Sequence, residues 1–577
     1  MMKKFLLLIF SLAFVFSNAQ VPTFQWVKQF GGSGICDAFS ITSDSNGNVY
    51  TAGRFSFICD FDPNPTTFTL SAGGTTDAFV SKLSSNGSFV WAKQFRGVWY
   101  TGPSPKAQST SIKLDAVGNI YVAGEFYETI DFDPGPGTYT LNAPINWNTF
   151  IVKLDPNGNF IWAKQMAGQE NYANSIAIDG SGNVYSTGKF EFGCDFDPGV
   201  NSYTLTSGGL YNDIFVSKLD PNGNFIWAKQ IGSPLEDYGR SIIIDASGNI
   251  CISGAFSGSA DFDPSVSNTY TLNAFGNSDA FILKLDSSGN FIWVKQFGGN
   301  SYPYTFTDAF AIVTDSLNNI FTTGYFNYFV DFDPGSGVFN LFGGSSGDPD
   351  IFISKLDSLG NFVWAKNFGG GSGRGLGYGI TLDASGSVYT TGGFEGTLDF
   401  DPDAGAYYLT GSSASNNHTM FISKLDALGG FLWAEEIGGT FSADGLGILV
   451  ESSGAVYTTG SFKGTEDFDP GSGTYNLSSP NNNNGFVHKM SNVVGINEYL
   501  SSQKNNSIFP NPTSSSFNLN LNFPSQIVIT NILGQEILNK NFDPGKQTID
   551  ISNQTSGIYF VKLISEGKQE VVKVIKN

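Results

Sequence analysis

The chain has 577 residues, with 51 acidic against 30 basic side chains and a formal charge of −21. That balance argues against nucleic acid as a partner, because phosphate contacts need a basic face, and against binding to anionic membranes. It suits solubility, divalent cations or cationic partners, and the acidic excess lies in residues 20–490.

The first segment reads as a secretory signal. Lys3-Lys4 give a basic start, Phe5 to Phe16 are almost wholly apolar, and Ser17-Asn18-Ala19 precede Gln20. Residues 1–19 therefore form an expected signal peptide cleaved after Ala19, too short and wrongly flanked for a membrane anchor. No later stretch is apolar enough to span a bilayer as a helix.

An isolated strand follows, Phe24-Gln25-Trp26-Val27-Lys28-Gln29. Then the tetrapeptide Asp-Phe-Asp-Pro occurs seven times, beginning at Asp60, Asp131, Asp195, Asp261, Asp331, Asp399 and Asp467, at spacings of 64 to 71 residues. A second ladder accompanies it, Trp26, Trp91, Trp162, Trp227, Trp293, Trp364 and Trp433. A fixed period of this kind means repeated supersecondary units stacked on one another.

One copy shows the grammar. Ser241 to Asp245 is a β-branched run, Ile250 to Phe256 a second, Ala280 to Leu285 a third, and Phe291 to Gln296 a fourth, each bounded by Asn, Gly, Asp or Ser. These are four antiparallel strands, a to d, joined by tight turns. Gly53, Gly124, Gly188, Gly254, Gly324, Gly392 and Gly460 recur in strand b, where glycine marks a bulge or a close backbone approach. Asp-Phe-Asp-Pro is an insert between b and c.

Four strands per unit and seven units predict an all-β fold, a seven-bladed β-propeller over residues 20–490. The last unit has strands a (445–450), b (456–462) and c (486–490) but no Trp strand d. Pairing the Trp26 strand with the strand at Val487 supplies it, and closes the ring. The units resemble bacterial β-propeller repeats of the SBBP type, on the shared G-N-V-Y-x-x-G, D-A-F-V-x-K-L and Trp-containing strands. That resemblance implies fold, since the family carries no single assigned activity.

The repeated acids invite two readings. In an extended segment the two Asp of each copy point to one side and the Phe to the other. The pairs Asp60/Asp62, Asp131/Asp133, Asp195/Asp197, Asp261/Asp263, Asp331/Asp333, Asp399/Asp401 and Asp467/Asp469 are thus candidate Ca²⁺ ligands. Two carboxylates alone are an incomplete shell for an ion that takes six to eight oxygens. The alternative is that they accept backbone N–H bonds at the insert's turn. The D-x-x-G-N turns at Asp44, Asp115, Asp155, Asp179, Asp220, Asp245 and Asp286 read as Asx turns by the same logic. The strand c lysines, Lys82, Lys153, Lys218, Lys284, Lys355, Lys424 and Lys489, are expected to pair with repeat acids between blades. The Trp ladder reads as packing.

Chemistry-bearing motifs are few. Only His418 and His488 occur, no H-E-x-x-H, G-x-S-x-G, phosphate-binding or dinucleotide fingerprint is present, and no C-x-x-C joins Cys36, Cys59, Cys194 and Cys251. Cys36 and Cys59 flank the first a and b strands, where either a disulfide or buried free thiols would fit. In a propeller the d-to-a and b-to-c connections emerge on one face. The irregular d-to-a loops 96–109 and 298–307 share it, so Trp99, Tyr100, Tyr302 and Tyr304 are the candidate ligand rim.

At Met490 the grammar stops. Residues 491–506 read as a linker. Residues 507–577 carry Pro510-Asn511-Pro512, strands at 517–521, 527–531, 548–551, 557–563 and 570–576, a turn ending at Gly534, Gly557-Ile558-Tyr559, and a basic end at Lys573 and Lys576. Short strands with regular turns predict a small β-sandwich. This unit resembles the type A C-terminal sorting domain of proteins exported by the type IX secretion system of Bacteroidetes. The resemblance implies that the secretion machinery is a partner, that the chain ends outside the cell or on its surface, and that the sorting unit is removed.

The expected role is a secreted, non-catalytic binding, adhesion or surface-structural propeller with a protein or glycan ligand. Two rivals stand beside it: an exported carbohydrate-active hydrolase or lyase using rim Asp residues, and a surface-layer component stiffened by Ca²⁺.

Overall fold

The computed structural model describes residues 21–491 and 511–577, apart from short stretches at 100–101, 300–303, 345–346, 371, 413–416, 440, 522–523, 532–534 and 566–567. The expected signal peptide and nearly all of the expected linker lie outside the described residues. Every regular element among those described is a β-strand. The chain divides into two compact units, one ending at Ser491 and the other running from Asn492 to Asn577.

In the first unit the strands pair in antiparallel fours. Cys36–Ser43, Val49–Phe55, Asp77–Leu83 and Phe89–Gly97 make the first sheet. Tyr238–Ile244, Ile250–Phe256, Asp279–Leu285 and Phe291–Gly299 make the fourth. Among the described residues there are seven such sheets. The strands a of successive sheets touch each other all the way round, and that of the last touches that of the first. This is a β-propeller with strands a innermost.

Closure occurs as the sequence leads one to expect. Thr23–Gly32 lies antiparallel to Asn476–Ser491, with Val27 opposite His488 and Phe30 opposite Gly485. The first described strand is thus the outer strand d of the last sheet, and strand c of that sheet is not left as an open edge.

Strand b's glycine answers a specific crowding. Each strand a carries a one-residue bulge opposite it, for example between Ala38 and Ser40. The bulge thrusts a carbonyl at strand b, and a Cβ on Gly53 would sit 1.9 Å from the Asp37 oxygen. Only glycine admits that approach.

The Asp-Phe-Asp-Pro insert fastens each blade to the one before it. It turns back as a short hairpin whose first Asp pairs with the end of the preceding blade's strand d: Gly31 with Asp60, Arg96 with Asp131, Ala167 with Asp195, Gly298 with Asp331. The same contact joins Gly232 to Asp261, Gly369 to Asp399 and Gly438 to Asp467. The Phe of every copy is fully buried. Phe132 packs against Phe95 of the preceding blade at 5.5 Å between ring centres and against Phe150 of its own at 4.8 Å. An aromatic side chain in this position buries about 150–250 Å².

A second fastening uses strand d's Trp and strand c's Lys. Trp162 meets Tyr121 of its own blade edge-on at 6.1 Å, and its Nε1 donates to the Pro221 carbonyl of the next at 3.2 Å. Gly223, at φ +77°, lies on its indole face. The lysines depart from expectation. Lys82, Lys284 and Lys424 pair with Asp44, Asp245 and Asp383 of their own blade, at 3.6, 2.8 and 3.0 Å. Across the seam they reach carbonyls instead, Lys153 to Pro221, Lys284 to Ser358, Lys355 to Ala427 and Lys489 to Ser85. The turn of the next blade presents its carbonyls there, while each turn's Asp points back at its own sheet.

All four cysteines are buried and free. Burial, followed by the neighbouring Cys36, drives the Cys59 thiol well up.

In the second unit, Ser516–Leu521 pairs with Gly545–Asp550, and Ser525–Asn531 lies between Glu536–Phe542 and Gly557–Ser565. Lys568–Lys576 completes the second sheet. One core, including Phe517, Leu519, Ile527, Ile549, Tyr559 and Val574, joins the two sheets. Strand Glu536–Phe542 escapes the sequence reading because it is a polar edge strand, largely exposed.

Replacing Phe132 by Ala is expected to cost about 3–5 kcal/mol, the usual penalty for a buried aromatic. Chemical denaturation measures it. The exposed strand d substitution Ile161→Ala is expected to stay within about 0.5 kcal/mol.

Candidate functional site

The fourteen insert carboxylates are spread over seven separate seams. In each copy the first Asp accepts two backbone N–H bonds through Oδ1: Asp131 from Asp133 and Tyr139 at 3.1 and 2.8 Å, Asp331 from Asp333 and Phe339 at 3.0 and 2.8 Å. The same pair of bonds recurs at Asp60, Asp195, Asp261, Asp399 and Asp467. The second Asp accepts the N–H two residues on, as Asp62, Asp133, Asp197, Asp263, Asp333, Asp401 and Asp469 all do. Among the described residues no group of three or more His, Cys, Asp or Glu side chains is placed to hold a metal ion. The Asp of the a-to-b turns behave alike: Asp44 Oδ1 accepts from Asn46 and Asn48, and Oδ2 from Asn48 and Tyr50.

Of the expected rim, Tyr100 and Tyr302 lie outside the described residues. Trp99 is 60% exposed, its Nε1 bonded to the Gly102 carbonyl at 3.2 Å. Tyr304 is 61% exposed, its carbonyl bonded by Asn327. The inserts and the d-to-a loops do share one face: Val98 bonds to Thr129 and Thr75 to Pro105. Phe57 and a tilted ring pair, Phe329 against Phe342 at 4.6 Å, stand exposed on it.

The mouth of the channel on that face carries a constellation the motif search missed. Two positions per blade supply it. One is the strand a residue just before the bulge: Asp37, Gln108, Tyr172, Tyr238, Asp308, Leu376 and Asp444. The other is its strand b partner, just after the glycine: Arg54, Glu125, Lys189, Ala255, Tyr325, Gly393 and Ser461. The strand b glycine and the Phe two residues after it repeat in every blade, whereas these two columns differ in charge, size and polarity, as does the bulged strand a residue next to them, Phe39, Thr110, Asn174, Arg240, Phe310, Tyr378 and Leu446. Aligning the seven units on the strand b glycine would expose them.

These side chains are linked almost continuously round the ring. Arg54 Nε donates to Asp37 at 2.9 Å, and its Nη1 to Gln108 of the next blade at 2.9 Å. Gln108 in turn donates to Glu125. Lys189 Nζ lies 4.9 Å from the centre of the Tyr172 ring and 5.0 Å from that of Tyr238. Arg240 stacks on Tyr238 and grips Asp308 of the next blade through Nε and Nη2, at 3.0 and 2.7 Å to Oδ2. Phe310 bridges to Tyr378 at 5.6 Å. His418 bonds Asp444 at 2.8 Å through Nδ1 and faces Glu395 at 3.4 Å, and Glu395 also holds Arg374. Asn483 returns to Asp37 at 3.4 Å.

The mouth is electrostatically tense. Burial pushes Glu125 up to about 7, against the pull of Gln108, Arg54 and Lys189. Its hydrogen bond to Asp444 raises His418 above the ordinary imidazole range. His488 is different: it is buried within strand c, its Nε2 shared with the Phe468 carbonyl, and burial takes it down to about 4.

Glu125 gives a pH signature. An acid whose pKa is raised by folding contributes stability below its unfolded value, near 4.5, and loses it as pH rises through about 7. Glu125→Gln keeps an acceptor for Gln108. It is expected to match the parent's melting temperature at pH 5 and to exceed it at pH 8. Because the insert carboxylates already accept N–H bonds, chelation with EDTA is expected to leave the melting temperature unchanged. A fall would assign calcium to the inserts.

The sorting motif also has a physical basis. Asn511 Nδ2 donates to the Lys573 carbonyl at 2.6 Å, and its Oδ1 accepts from Ile575 at 2.9 Å, so the start of the unit is tied to its basic last strand. Tyr559 is buried and its hydroxyl donates to the Thr555 carbonyl at 2.5 Å; Gly557 opens that strand. Pro512 follows Asn511 at the start of the described part, while Pro510 and Gly534 lie outside it.

Comparison with known proteins agrees with both halves. Residues 507–577 match the secretion system C-terminal sorting domain, and residues 25–54 and 161–189 match the β-propeller repeat. An uncharacterized WD repeat-containing protein, L264 of Acanthamoeba polyphaga mimivirus, is 24% identical over 512 residues, covering 76% of this chain and 36% of that protein. The chain thus spans about a third of the length of that relative. Among solved structures, PorZ, a surface component of the type IX secretion system of Porphyromonas gingivalis, matches at 9% identity over 96% of this chain and 100% of that one. Its TM-score of 0.22 is too low to carry an argument. The chain thus carries β-propeller repeats followed by a C-terminal sorting domain, and that domain indicates export through the type IX secretion system to the cell surface or the extracellular space.

Proposed function

We propose that the exported propeller is a non-catalytic recognition module that binds a surface protein or glycan on the face holding the channel mouth. One observation carries this reading. On a scaffold whose core columns repeat, the residues that do not repeat gather at the mouth and in the loops of one face. Unique groups on a rigid scaffold are where recognition resides. Phe57, Trp99, Phe329 and Phe342 stand exposed on the same face, and large aromatics dominate binding hot spots.

A non-catalytic role is further supported by the state of the two histidines. His488 is buried and His418 is held between two carboxylates. Among the described residues neither is paired with a Ser or Cys nucleophile.

The test is a protein and glycan array probed with the full mature chain. A specific ligand is expected, and Phe57→Ala with Trp99→Ala should weaken it by about tenfold or more, the loss of at least one hot-spot contact. The melting temperature should not change. Robust turnover in a hydrolase and lyase screen, abolished by replacing one rim carboxylate, would overturn the proposal.

A further inference from the structure

We infer that the sector of the channel mouth over the second to fourth blades receives an organic cation, a lysine or arginine side chain of a basic polypeptide partner. This rests on the recognition face proposed above and names its ligand chemistry.

Charge comes first. Glu125, Glu170, Glu191 and Glu236 surround a single lysine, Lys189, which feels Glu236, Glu170 and Glu125 together. The flanking cations are paired, Arg54 with Asp37 and Arg240 with Asp308, although Arg54 still attracts Glu125 and Arg240 still repels Lys189. The sector is therefore left with uncompensated negative charge. Burial and then repulsion from Glu170 and Glu236 raise the Glu191 carboxyl accordingly. A cation relieves this strain and a neutral sugar does not.

The shape suits an ammonium or guanidinium. Lys189 lies against both Tyr172 and Tyr238, within the distance at which aromatic faces attract a cation. The cage is thus built for the chemistry and holds two such groups of its own, Lys189 and, over Tyr238 at 4.6 Å, Arg240. Trp147, half-buried, extends the wall, 6.4 Å from Tyr172 and 6.2 Å from Tyr127. At the floor, Glu125 is 7% exposed and its Oε2 has no hydrogen-bond partner. Tyr172 and Tyr238 donate their hydroxyls to Glu170 and Glu236, fixing those carboxylates beside the rings.

A metal ion fits less well. The carboxylates belong to different strands around the cage, and no three acids among the described residues converge on one point. An organic cation needs spaced acceptors and flat aromatic surfaces. The same spacing favours a polypeptide with several basic side chains over a small amine.

The experiment titrates the full mature chain with fluorescent oligolysine, and with its fully acetylated form, at matched ionic strength. Oligolysine is expected to bind and the acetylated form not to. Glu170→Gln with Glu236→Gln should weaken binding by about tenfold or more. Lys189→Met should tighten it, because it removes a competing cation. Asp155→Asn with Asp220→Asn, which lowers the charge equally on the opposite face, should leave affinity unchanged. The inference falls if the Glu170/Glu236 variant binds like the parent, or if the Asp155/Asp220 variant loses as much. It falls too if calcium displaces the peptide where sodium at equal ionic strength does not. Array binding that is lost with Phe57 and Trp99 but indifferent to Glu170 and Glu236 would refute this ligand and leave the recognition face standing.

Discussion

The pairing of Thr23–Gly32 with Asn476–Ser491 is the constraint on which the propeller depends. Each blade's strand a touches its neighbours' strands a, and each insert grips the blade before it. Those contacts can all be made only if the last blade has four strands. The chain supplies the fourth from its beginning, more than 400 residues away in sequence, so closure is the least local contact in the fold. Contacts of such separation form late and cost loop entropy, and here they are reinforced on both flanks. The first insert pairs with Gly31 and Gly32 of the same strand, and Lys489 reaches Ser85 of the first blade.

The seams show how the repeat uses its few polar groups. A Phe wedge from one side and a Trp–Gly contact from the other bury apolar area between blades, while carbonyls and N–H groups take up the side-chain polar atoms. Asp-Phe-Asp-Pro is thereby explained as a joint: its Asp residues order the hairpin and its Phe fills the seam. The excess of acid over base follows from this economy. Most repeat carboxylates are satisfied by backbone N–H groups and do not call for a matching cation.

What the joints leave free is the mouth. Two columns per blade, one on strand a before the bulge and its partner on strand b after the glycine, are under no packing demand common to all blades. They diverge into Asp37, Arg54, Glu125, Lys189, Asp308 and Asp444, which Arg240 from a bulge and His418 from just before a strand c join in one linked ring. The bulge that requires the glycine also turns the adjacent strand a residue toward its neighbours, so structural repetition and local individuality arise from the same feature. It is on this face, of a module delivered outside the cell, that the proposed recognition would take place.

Much of this was written in the sequence by itself. The period of Asp-Phe-Asp-Pro and of Trp fixed the number and order of strands, because a four-stranded blade must repeat its turns and its core at constant spacing. The orphan Trp26 strand announced closure, and Pro510-Asn511-Pro512 with the basic end announced export. Only the tertiary structure decided what the repeats do to one another: that the insert reaches backward, that strand c lysines cross to carbonyls and not to acids, and that Glu125, Lys189 and Tyr238, from three different blades, meet at one mouth. Periodicity encodes each unit's own hydrogen bonds and buried face. The meeting of unrepeated side chains is set by the curvature of the closed ring, which no single repeat contains.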